Sequence, residues 1–118
     1  MLPILAAVLI TGCDDSASLS YSTRAEAEAE SESPFARGWL PEIIPASSFN
    51  ISMRNDLDLN ISEGEFSFLR SDYDAFVAKL ERVSSPDKGG ASAYVYEDWT
   101  FWINDQKNYC RFHMRLTR

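Results

Sequence analysis

The sequence predicts an α+β domain, a small antiparallel sheet carrying two helices, and three observations predict it. The runs Phe49-Asn50-Ile51-Ser52-Met53 and Tyr109 to Thr117 alternate with period two, the spacing of a half-buried strand. Tyr73, Phe76, Val77, Leu80 and Val83 fall instead on one helical stripe. The chain of 118 residues is 45% hydrophobic, enough for one small core and too short for two.

The elements follow in order. Asp14 to Ser20 is small and polar and reads as a tether, and Tyr21 to Thr23 closes a first short strand. Thr23-Arg24-Ala25-Glu26 matches a capping box, with Glu26 reaching back to the start of a helix. RAEAEAESE also alternates, but Ala and Glu form helices well and strands poorly, so a helix ending before Pro34 is expected. Gly38 to Pro45 holds four large apolar side chains between prolines, which fix φ and remove donors. It reads as a rigid loop or one helical turn pinned to the core. Strands at Phe49 to Met53 and Glu65 to Leu69 flank a polar loop, Asn55 to Gly64. Ser71 is the expected N-cap of the second helix, which stops before Pro86. Ala93 to Tyr96, Trp99 to Ile103 and Tyr109 to Thr117 complete the sheet, with a hairpin loop at Asn104 to Asn108. In the last strand Cys110, Phe112, Met114 and Leu116 face inward, while Tyr109, Arg111, His113 and Arg115 face outward.

Residues 1–12 are almost wholly apolar and too short to span a bilayer core, which needs about 20 helical residues. The run suits the apolar region of a secretion signal, although no Lys or Arg precedes it. Leu9-Ile10-Thr11-Gly12-Cys13 resembles the bacterial lipobox. The resemblance implies cleavage after Gly12, a diacylglyceryl thioether on Cys13 and a lipidated tether over residues 13–20. The domain proper then covers residues 21–118. Asp14, directly after the cysteine, resembles the signal for retention in the inner membrane, facing the periplasm.

Arg37-Gly38-Trp39-Leu40-Pro41, Pro45, Ile51, Leu57-Asp58, Asn60, Phe66 and Phe68 together resemble the YbbD-head type of small bacterial domain, over Tyr21 to about Phe68. The resemblance implies a small envelope lipoprotein. It supplies no catalytic residues to carry over.

Charge and motif bound the function further. A net charge of −7 argues against a general phosphate-backbone binder, so no nucleic acid is expected. Residues 13–74 hold 13 acids against 4 bases, whereas residues 75–118 hold 5 against 7. The outward stripe Arg111-His113-Arg115, with Arg118, is suited to anionic headgroups, to an acidic partner or simply to water. His113 is the single histidine, with no nucleophile and orienting acid beside it in the pattern, so it reads as a surface residue. Cys110, left without a partner if Cys13 is lipidated, reads as a small buried hydrophobe. Asp56, Asp58 and Asn60 have the spacing that opens an EF-hand loop. Ile61 stands where that loop needs Gly, and Ser67 where it needs Glu, so Asx turns explain them better than a metal. Glu63 and Glu65 read as solvated on a loop or strand edge.

No cofactor, metal or catalytic group is therefore expected. The reading is a non-enzymatic lipid-anchored envelope protein that binds another protein. An immunity-type lipoprotein directed against a toxin is the alternative, and a small hydrolase the last choice. The candidate contact surface is Trp39, Leu40, Ile43 and Ile44, unless they are simply core, where large apolar side chains usually lie.

Overall fold

In a computed structural model describing residues 16–83 and 91–115, the chain is an antiparallel sheet with one covered face. Its elements are β1 (Ser16–Thr23), α1 (Arg24–Ala29), β2 (Phe49–Asp56), β3 (Ile61–Ser67), a 3-10 turn (Arg70–Asp72), α2 (Tyr73–Ala78), β4 (Glu81–Arg82), β5 (Ser92–Tyr96), β6 (Trp99–Asn104) and β7 (Tyr109–Arg115). Among the described residues the strands form one sheet in the order β1-β2-β3-β7-β6-β5-β4, every neighbour antiparallel.

The α+β expectation is overturned. Both α-helices have only six residues, and the domain is nearly all β. In α1 half of the capping box forms as read, with Thr23 Oγ1 accepting from the Glu26 N–H; the Glu26 carboxylate accepts from the Ser22 N–H at 2.7 Å, one residue before the N-cap. The helix nevertheless stops at Ala29, because Glu30 turns to an extended ψ of 139° ahead of two serines. Serine competes for backbone hydrogen bonds and favours the break. The second helix departs further. Ser71 caps nothing, since a 3-10 turn without a side-chain cap occupies its place. After Ala78 the backbone tightens to i→i−3 bonds, Lys79 to Phe76 and Leu80 to Val77, and the chain then leaves to pair with β5. Val83 donates its N–H to Ala93. Its β-branched side chain suits that extended path.

Three boundaries also differ. β1 begins at Ser16, so the stretch read as tether is already paired with β2 from that residue. β2 and β3 invade the expected loop until only residues 57–60 remain. Asp56 makes that tight turn possible by accepting the Leu59 N–H at 3.2 Å, and Asn60 takes a positive φ of 56°. Asn tolerates this conformation because its short side chain bonds locally. The extra strand β4 lengthens the far edge.

The covered face holds an aromatic core. Phe66, Phe76, Phe101 and Phe112 are fully buried, with Phe76 edge-on to Phe101 at 5.5 Å and Trp99 edge-on to Phe112 at 5.7 Å. Each such ring stabilises the fold by roughly 1.5–3 kcal/mol through burial alone. Residues 30–48 strap across this face as the rigid loop the prolines predict. Pro34 C=O accepts from the N–H groups of Trp39 and Leu40, and Ser62 Oγ donates to Trp39 C=O at 2.7 Å.

Candidate binding face

Side chains alternate across strands, so every residue between two core positions emerges on the sheet's other face. No helix or strap covers that face among the described residues, since α1, the strap and α2 supply their buried side chains, Ala27, Leu40, Ile44 and Phe76, to the opposite side. Strand pairing arranges the emerging side chains in rows. One row runs Ser20, Ser52, Glu65, Arg111, Trp102, and the next runs Ser18, Arg54, Glu63, His113, Thr100. Each glutamate on β3 thus lies directly across from a basic residue of β7, and Arg54 on β2 lies directly across from Glu63. The face is a ladder of alternating charge, with Trp102 and Tyr109 as its aromatic members.

This face forms an open trough of about 880 Å³, bounded by β1 on one side and by Asn104 and Lys107 on the other. Tyr109 hydroxyl donates a short hydrogen bond to the Glu65 carboxylate. Desolvation, that bond and the carboxylate's charge push the phenol up to about 12, against the pull of Arg111. The phenol therefore stays a neutral donor and fixes Glu65 in place. Gly64 sits between these glutamates with its bare side toward the core. A Cβ there would lie 2.9 Å from the Phe112 ring and 2.1 Å from Ser52 carbonyl oxygen. Only glycine lets β2 and Phe112 close down at this point, which holds the glutamates on either side in register.

The residues singled out from sequence fare unequally. Leu40 and Ile44 are core, 1% and 3% exposed, so they form no contact surface. Trp39 and Ile43 are half-buried against that core, and the Arg37 guanidinium stacks on the Trp39 ring at 4.5 Å. The four were apolar among prolines, a pattern that does not distinguish an inner from an outer side. Cys110 is fully buried, and burial pushes its thiol well up. His113 faces outward as read and lies half-buried in the trough. Glu63 and Glu65 are exposed but sit mid-sheet, not on an edge. Asp56, Asp58 and Asn60 belong to the β2–β3 turn. Cys13, Asp14, Leu116 and Arg118 lie outside the described residues. Among the described residues no three His, Cys, Asp or Glu side chains gather as metal ligands.

Two contributors escaped the sequence reading. Arg54 joins the ladder only because β2 extends to Asp56, a point that alternation through Arg54 would have signalled. Arg24 ties the strap down: its Nη1 donates to the carbonyls of Glu42 at 3.0 Å and Ile44 at 2.5 Å. Its Nε meets Glu28 at 2.8 Å, and its plane lies 4.5 Å over the Phe35 ring. No local motif announces that role.

A family model for the YbbD head domain matches residues 15–67, a little under half of the chain. The match spans β1, α1, the strap, β2 and β3, and so covers the region where the resemblance was drawn from sequence. No curated protein and no solved structure matches the chain. The matched portion supplies three strands of the trough, and the C-terminal half supplies β7 and β6, with Arg111, His113 and Trp102. No helix among the described residues is long and apolar enough to cross a membrane.

Proposed function

We propose that this chain is a lipid-anchored bacterial envelope protein of non-enzymatic type that binds another protein through the open face of its sheet. The lipobox-like Leu9 to Cys13 supports the anchor, and the YbbD head match supports an envelope setting. The observation that carries the binding reading is the trough itself. It is open and lined by fixed charges of both signs, whereas small-molecule pockets are mostly apolar and enclosing. Arg and aromatic side chains dominate binding energy at protein interfaces, and Arg111, Trp102 and Tyr109 stand together here. Alternating charge also selects register, because a shifted partner would set like charges opposite one another.

Charge reversal tests the reading. A partner recovered with the protein from detergent-solubilised membranes should be lost roughly tenfold on Arg111→Glu, about 1.4 kcal/mol of binding. Lys79→Glu, just after α2 at the covered side, should leave recovery unchanged. Equal recovery with both variants would contradict binding through this face.

A further inference from the structure

We infer that the β2–β3 hairpin tip, residues 57–60, is a wedge that rests in the lipid surface beside the acyl anchor. The inference builds on the reading of Cys13 as the anchored residue. Leu57 and Leu59 are 56% and 50% exposed, and with Leu69 they are the large hydrophobics left in solvent among the described residues. A pair of leucines on one turn, with no core beneath them, points to an apolar medium outside the protein.

Strand register says which medium. Ser16 pairs with Asp56, so β1 enters the sheet on the same row where β2 leaves it for the tip. Two residues lie between Cys13 and Ser16, three chain steps with a reach of at most about 11 Å. An acylated Cys13 therefore holds the tip close to the bilayer surface. Ile61 pairs with Arg115, so the end of β7 lies at this same end of the sheet. The turn is also preset: the Asp56–Leu59 bond and the left-handed Asn60 fix its shape without lipid. A preset turn loses little freedom on insertion.

Charge narrows the lipid. Asp56 and Asp58 at the tip are balanced by Arg54 and Arg115 beside it, so this end of the sheet has no net positive charge to attract anionic headgroups. The contact is apolar, and zwitterionic lipid suffices. Leu69 provides an internal control, because it lies at the opposite end, next to Phe68, whose N–H donates to Asn108 C=O in the β6–β7 turn.

The test uses the full acylated protein, purified from membranes, with its acylation verified by mass. Leu57→Cys, Leu59→Cys and Leu69→Cys each carry an NBD label, since Cys110 is buried. In phosphatidylcholine vesicles, spin-labelled lipid should quench the label roughly twofold at 57 and 59, as expected for residues at the headgroup boundary, and hardly at 69. Equal weak quenching at all three positions on an acylated chain would overturn the wedge and leave the anchor standing. A chain carrying no acyl group would overturn both.

Discussion

Replacing Arg24 with Ala should remove about 3 kcal/mol of stability, and the figure follows from its partners. The Arg24 side chain is 12% exposed, while Glu28 and Glu42 are 52% and 76% exposed. Ion pairs to such open carboxylates contribute about 0–1 kcal/mol. The bonds to the backbone weigh more. Ile44 C=O is part-buried on the strap, and a charged donor to such a group is worth about 1.5–3 kcal/mol. Stacking on Phe35 adds roughly 0.5–1 kcal/mol. Small domains are stable by only about 5–15 kcal/mol, so the strap would loosen well below full denaturation. Urea unfolding followed by tryptophan fluorescence reads the loss, with Trp39 on the strap itself. A lysine carries one compact charge and cannot span both carbonyls and the ring, so Arg24→Lys should recover less than half of the loss. A change under about 0.5 kcal/mol for Arg24→Ala, the size of an ordinary surface substitution, would refute the clamp. So would full recovery by lysine.

Other expectations concern the interior and the trough. Gly64→Ala drives a methyl into the β2 backbone, which cannot rotate away, and should cost about 3 kcal/mol or more, whereas Gly38→Ala meets open space and should cost about 1–2 kcal/mol for its positive φ. Equal urea midpoints for the two variants would contradict this. Tyr109 should titrate near 12 by ultraviolet absorbance, and Glu65→Gln should lower its midpoint. Because the folded state holds this phenolic proton more tightly than the unfolded state, the contribution to stability is present below pH 10. It is lost as pH rises from about 10 toward 12, which alkaline unfolding would register. Cys110 should ignore a thiol reagent in the native protein and react once the chain is unfolded in urea, and rapid native labelling would contradict its burial.

Much of the sheet was legible because alternation is a local property. In β7, Cys110 and Phe112 face the core and Arg111 and His113 face out, as the period-two pattern requires. The helix over Tyr73 to Val83 was over-read because its apolar stripe describes a face without fixing a backbone. Tyr73, Phe76, Val77 and Leu80 do reach the core region, yet the backbone turns extended by Glu81 to meet β5. That pairing is long-range, and no window of local sequence contains it. The trough was legible by halves for the same reason. The basic stripe of β7 could be read alone, but Glu63 and Glu65 neutralise it only through the β3–β7 register. The apolar cluster at residues 39–44 shows the converse limit: hydrophobicity reveals that a side chain avoids water, and Leu40 and Ile44 avoid it inside the protein.

These features join into one arrangement. The Leu57–Leu59 turn lies at the end of the sheet where β1 begins at Ser16, and the charged trough occupies the uncovered face. On the proposed reading, an acylated Cys13 would hold that end close to the membrane and limit partners to proteins within the same envelope layer. That placement depends on Cys13 being the first residue of the mature chain. Intact-mass measurement of the protein purified from membranes tests that directly. The account predicts a chain beginning at Cys13 and heavier than its sequence by acyl groups. An unmodified chain retaining Met1, recovered in the soluble fraction, would contradict it.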